Sequence, residues 1–81
     1  MSDNLSPLPT VPRPGRYRHY KGREYRVIYI ARHSENLEPV VVYQALYGEQ
    51  GIWVRPAAMF IETVPGPEGK RVPRFAWVAP D

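Results

Sequence analysis

From Pro39 to Phe60 the chain reads PVVVYQALYGEQGIWVRPAAMF, and this run narrows the possible folds more than any other. It holds the longest apolar stretch, one of the two tryptophans, a glycine-bounded polar loop and a proline stop. Val40 to Tyr47 and Ile52 to Arg55 have the β-branched and aromatic content of strands. Tyr47-Gly48-Glu49-Gln50-Gly51 between them has the composition of a hairpin loop. If Leu46 opposes Ile52, then Tyr43 faces Arg55 and Ala45 faces Trp53. Tyr43, Tyr47, Trp53 and Arg55 then share one face of the hairpin, and Val42, Gln44, Leu46, Ile52 and Val54 share the other. Val40 to Tyr47 is apolar on both faces, as a central strand is. Periodicity leaves open which face is interior.

The chain has 81 residues and no cysteine. That length makes one domain with one modest core. Without thiols it has neither a disulfide framework nor a thiolate metal cage, so the core must rest on large side chains. Six Tyr, two Trp and two Phe supply them. The expected organisation is a disordered proline-rich tail at 1–14, a single domain at 15–78 and a short disordered tail at 79–81. Met1 to Pro14 lacks the apolar segment of a secretory signal, and no apolar run approaches the roughly 18 residues of a membrane span. The expectation is a cytoplasmic protein without membrane association, monomeric by default.

Gly15 to Tyr20 and Glu24 to Ala31 read as a first hairpin turning at Lys21-Gly22-Arg23. An odd loop pairs His19 with Tyr25 and Tyr17 with Val27, and gathers Arg16, Arg18 and Arg26 on the opposite face. In that register Arg18 faces Arg26 directly, so either the two side chains splay into water, the favoured reading, or an anion sits between them. Arg32 to Pro39 is a polar connection. Pro56 to Phe60 fits one helical turn with proline in its first position. Ile61 to Val64 makes a further short strand, Pro65 to Lys70 a loop, and Val72 to Val78 an edge strand limited by its proline. The sum is a mainly β fold, a small antiparallel SH3-like barrel or roll of four to five short strands with one helical turn. A curled sheet with a helix packed across it is the alternative.

The segments GRYRHYKGREYRV, ARHSE, VVYQALY and WVRPAAMF together resemble a family of small bacterial proteins known only as domain of unknown function sixteen fifty-three. The resemblance runs from about Gly15 to Phe75. It implies an architecture similar to SH3-type barrels and no established activity. The proline tail and the Pro65–Gly69 loop lie outside its pattern.

Charge points to a partner class. Arg13 to Arg32 holds seven basic residues and one acid, a balance of +6, whereas His33 to Glu68 holds one basic residue and five acids, a balance of −4. A basic half is the minimal footprint of an anionic partner. The first function class is therefore a non-catalytic binding module for nucleic acid or another anion, held by Arg16, Arg18, Lys21, Arg23 and Arg26. The second is a protein–protein module that grips an extended peptide or a second copy with Tyr43, Tyr47, Trp53 and Arg55. In the competing structural account, Tyr43 and Trp53 are core and Arg55 pairs with an acid such as Glu62.

The third class is a small-molecule binder or minor enzyme using Arg32, His33, Ser34 and Glu35. Side chains that close in sequence rarely converge as nucleophile, base and orienter, and no glycine-rich oxyanion loop accompanies them. A turn in which Ser34 and Glu35 bond nearby backbone accounts for the same residues. His19 and His33 lack metal-ligand spacing, and His19 reads as a buried structural histidine. No catalytic residue, metal or cofactor is assigned.

Overall fold

The fold, a computed structural model, describes residues 7–80. The expected tails at 1–14 and 79–81 thus fall partly, at residues 1–6 and 81, outside the described residues. Seven strands run along the chain: β1 (Gly15–His19), β2 (Glu24–Arg32), β3 (Pro39–Ala45), β4 (Ile52–Pro56), β5 (Thr63–Pro65), β6 (Arg71–Pro73) and β7 (Phe75–Ala79). One helical turn, α1 (Ala57–Phe60), follows β4. An antiparallel five-stranded sheet has the order β4-β3-β2-β1-β7, and β5 and β6 form a separate two-stranded sheet. The five-stranded sheet keeps two open edges, so the described residues form no closed barrel.

Side-chain alternation sorts the residues as their sequence period requires, but both hairpins pair two residues away from the expected register. In the first, Tyr17 opposes Tyr25, Arg16 opposes Arg26, and Arg18 opposes Glu24. The loop is Tyr20-Lys21-Gly22, closed by Gly22 N–H donating to His19 O at 2.7 Å. Gly22 takes φ 106°, a value that favours glycine over any L side chain. Moving the turn back by one residue preserves the faces, sets Glu24 opposite Arg18 in an ion pair, and shifts the Arg–Arg opposition from Arg18 to Arg16. In the second hairpin Tyr43 opposes Trp53 and Val41 opposes Arg55.

Among the described residues, one face of the sheet is covered by α1 and the other is left open. Tyr17, Val27, Val41, Tyr43 and Phe75 point inward and pack with Ala57 and Phe60 of α1. Pro56 sits at the N-cap of α1 with φ −51° and ψ 134°, so the proline ends β4 and the helical turn starts one residue later than expected. The short strand after α1 is Thr63–Pro65, and the expected Val72–Val78 strand divides at Arg74 into β6 and β7. Arg74 accounts for the break, because its N–H donates to Glu62 O and its carbonyl accepts from Tyr20 N–H, both at 2.9 Å. Upstream of β1, Pro12 is buried and the Arg13 carbonyl accepts the Tyr17 hydroxyl at 2.9 Å.

Between Val27 and Tyr29 the β2–β3 register shifts by one residue. This bulge reverses the facing of the β2 residues beyond it. Without it Tyr29 would point inward with Val27. With it Tyr29 opposes Val42 on the outer face and is 68% exposed.

Candidate ligand-binding surfaces

Strand register lays out the outer face in rows. Ile52, Gln44, Arg26 and Arg16 follow one another across β4, β3, β2 and β1. A second row carries Val54, Val42 and Tyr29, and a third carries Glu24, Arg18 and Ala76. Glu24 is the one carboxylate in these rows. Its Oε2 accepts from Arg18 Nη2 at 2.6 Å and Nε at 3.1 Å, while its Oε1 lies 3.6 Å from Arg16 Nε. Two guanidiniums therefore share one carboxylate.

The other two cations expected on the first hairpin sit at its turn. Lys21 is exposed, with its Nζ 5.8 Å from the Tyr20 ring centre. The Arg23 guanidinium stacks over Tyr47 at 4.3 Å, so it joins the opposite, inward-facing side.

That inner side is a continuous aromatic assembly. Tyr25 meets Tyr43, Tyr47 and Phe75 edge-on, each at 5.5 Å. The Tyr25 and Tyr47 hydroxyls share a hydrogen bond of 2.7 Å. Burial first, and then this bond, push the Tyr25 phenol up to about 12. His19 lies across Phe75 at 4.9 Å and beside Tyr20 at 4.6 Å. Its Nδ1 accepts the Lys21 N–H at 3.2 Å, which leaves the ring proton on Nε2 in the neutral form. Burial lowers the His19 pKa, and the positive charges of Arg55, Arg74 and Lys21 lower it further. The expected structural histidine is thus half-buried, not fully enclosed.

The group Tyr43, Tyr47, Trp53 and Arg55 does share a face, but the structure divides it by depth. Tyr43 is core. Arg55 is half-buried, with its Nε donating to the Tyr43 hydroxyl at 3.4 Å and its guanidinium 5.7 Å above Phe75. Glu62, the acid expected to pair with Arg55, pairs with Arg74 at 3.2 Å. Trp53 is 59% exposed, because no strand lies beyond β4 to cover it. Tyr47 and Trp53 flank a niche of about 370 Å³ over Ala45 and Gly51. A second hollow of about 440 Å³ lies beside His19, Tyr20, Val72, Pro73 and Trp77.

Arg32 is half-buried at the end of β2, and His33, Ser34 and Glu35 are exposed. The turn closes on itself: His33 N–H donates to Glu38 O, and Leu37 N–H donates to His33 O, both at 2.9 Å. The side chains that hold it are His33, whose Nδ1 accepts the Glu35 N–H at 3.1 Å, and Asn36, whose Oδ1 accepts the Glu38 N–H at 2.9 Å. The stabilising side chains are therefore His33 and Asn36 in place of the expected Ser34 and Glu35. Among the described residues no three His, Cys, Asp or Glu side chains gather as a metal site, and no helix is long and apolar enough to cross a membrane.

Tyr29 is the surface residue that sequence reading missed, since only the bulge turns it outward. Glu24 was also missed as the acid shared by two arginines. Its signal was present, because a loop ending on Gly22 sets Glu24 opposite Arg18.

Comparison with curated proteins returns no match. A crystal structure of a DUF1653 protein from Bordetella bronchiseptica is 44% identical in sequence, with a TM-score of 0.76, and the match covers 85% of this chain and 90% of that one. The model of the family described as protein of unknown function (DUF1653) matches residues 15–77, from the first residue of β1 into β7. The chain belongs to the DUF1653 family, whose function is unknown.

Proposed function

We propose that the protein is a non-catalytic binding module for single-stranded nucleic acid, which it holds on the outer face of the five-stranded sheet. The observation that carries this reading is the sharing of Glu24 by Arg16 and Arg18, which among the described residues leaves one positive charge in excess on an open surface. Phosphates are the complementary ligand for such a face, and their contacts dominate affinity. Tyr29, exposed one row away, offers a ring on which a base can stack. Gln44, between Ile52 and Arg26, adds a side-chain amide to the same surface. An SH3-like curl of the two sheets about the aromatic core belongs to this reading, since it keeps the outer face convex and open.

Fluorescence anisotropy with labelled oligouridine and oligothymidine tests it. Binding should strengthen as salt falls. Arg18→Glu should weaken it about tenfold or more, and Tyr29→Ala should weaken it about three- to tenfold, since stacking contributes roughly 1 kcal/mol or more per base. Both side chains are exposed, so neither change should alter the circular dichroism spectrum. Absence of binding at low salt, or binding indifferent to salt, overturns the proposal.

A further inference from the structure

We propose that the outer edge of β4 is a self-pairing surface on which a second copy of this chain lays its own β4 antiparallel, joining two sheets into one. β4 is a terminal strand of the sheet. Ala45 N–H donates to Gly51 O at 2.9 Å. Because antiparallel ladders alternate, Gly51, Trp53 and Arg55 turn their backbone groups toward β3, and Ile52, Val54 and Pro56 turn theirs outward. Pro56 lacks an N–H at a position where β3 needs none.

The side chains along this edge are unguarded. Ile52, Trp53 and Val54 are 62%, 59% and 65% exposed. Natural sheets blunt such an edge with lysine, acids, proline, bulges or a covering segment, and the one proline of β4 stands at its last residue. β4 contains no lysine and no acid, and its pairing with β3 has no register shift. Its one charged residue, Arg55, turns its head inward over Phe75. The described part of the N-terminal segment does not cover it either, since Arg13 sits on Trp77 of β7, the strand at the opposite edge.

The edge is complementary to itself. With the twofold axis through Val54, the two Val54 residues exchange both backbone bonds, and each Ile52 N–H reaches a Pro56 carbonyl of the partner subunit. The missing proline donor costs only one bond at each end. On the inner face each Trp53 lies opposite an Arg55 of the partner subunit, so the indole packs on the arginine's aliphatic stem while its head stays over Phe75, a contact made twice. A register centred on Arg55 would oppose the two arginines and is disfavoured. A foreign strand could offer an acid to Arg55, but the second copy supplies a fitting partner at every position. The axis stands perpendicular to the sheet, so both outer faces point the same way and the arginine rows of the two copies flank a strip of Ile52, Val54, Val42 and Tyr29. Linked sites of this kind bind one extended polyanion more tightly than separate ones. The pairing does not depend on the nucleic-acid reading.

Sedimentation equilibrium of the full chain, from about 1 to about 500 µM, tests the pairing. A monomer–dimer equilibrium is expected. Val54→Pro removes the central donors without taking a bond from β3, and Val54→Lys leaves the backbone intact. Each should weaken dimerisation at least about tenfold, while Ile61→Lys, at an exposed site just past α1, leaves it unchanged. Isotope-filtered NOEs should connect the Trp53 indole with Arg55 of the partner subunit. A monomer throughout the range, a dimer indifferent to both Val54 variants, or a dimer without the Trp53–Arg55 contacts overturns the proposal.

Discussion

Phe60 and Phe75 stack face to face, with ring centres 4.0 Å apart and planes within 2° of parallel. The pair joins the helical turn after Pro56 to the last strand of the sheet. Tyr17 and Tyr43 each meet Phe60 edge-on at 5.5 Å. Phe60→Ala should therefore cost about 3–5 kcal/mol. A domain of this size holds only about 4–12 kcal/mol in all, so the variant should be largely unfolded or close to it. Phe60→Leu should cost clearly less. Urea unfolding measures both, and equal losses would show that the ring stack, not buried volume, carries the contribution of Phe60.

Glu24 restrains the outer face as well as bracing it. Glu24→Gln should release Arg16 and Arg18 for a ligand, tightening single-strand binding about three- to tenfold at low salt and steepening the salt dependence. The exposed position of Arg18 keeps the stability loss below about 1 kcal/mol. Anisotropy titrations at several salt concentrations read the effect. Weakened binding would mean that the acid orients the arginines for the ligand.

Stability should fall with acidification through His19. Its folded-state pKa is lowered, chiefly by burial and then by Arg55, Arg74 and Lys21. The unfolded chain, titrating near 6.5, then takes up a proton that the folded chain resists. The His19 contribution is complete above pH 6.5 and is lost as pH drops through the folded-state value. Thermal melts at pH 7.5 and 5.5 should differ less in His19→Gln than in the parent chain. An unchanged difference would remove His19 as the source.

Gly15 opens β1 at φ 145°, a conformation that L side chains rarely adopt. A Cβ there would stand 2.5 Å from Trp77 Cζ3 and 2.9 Å from the Ala79 carbonyl. Gly15→Ala must therefore push β1 away from β7, at a cost of roughly 2 kcal/mol or more. The change should also alter Trp77 fluorescence. A variant as stable as the parent would show that the edge formed by β7 yields freely.

Several features were legible from residues alone. Tyr17, Tyr25 and Val27 on one face, against Arg16, Arg18 and Arg26 on the other, follow from a period of two, which survives any even slip in register. Register itself was misread by two residues in both hairpins, because one residue of uncertainty in a turn shifts a pairing by two. Gly22 in the last loop position, and the charge match of Arg18 with Glu24, held the missing information. Nothing in VIYIAR marks the bulge that turns Tyr29 outward. The break at Arg74 is likewise unmarked, since it depends on Glu62 and Tyr20, both far away along the chain.

Local chemistry thus settled where the first four strands lie, which of their residues share a face up to the bulge after Val27, and where proline and glycine end them. Those properties depend on backbone torsions and alternation, which each short segment carries by itself. Tertiary structure decided that Tyr43 is core while Trp53, directly across from it, lies open, and that β7 closes against β1 while β4 keeps a bare edge. Burial depends on what covers a residue, and here the cover comes from α1 and from a strand pairing between opposite ends of the chain.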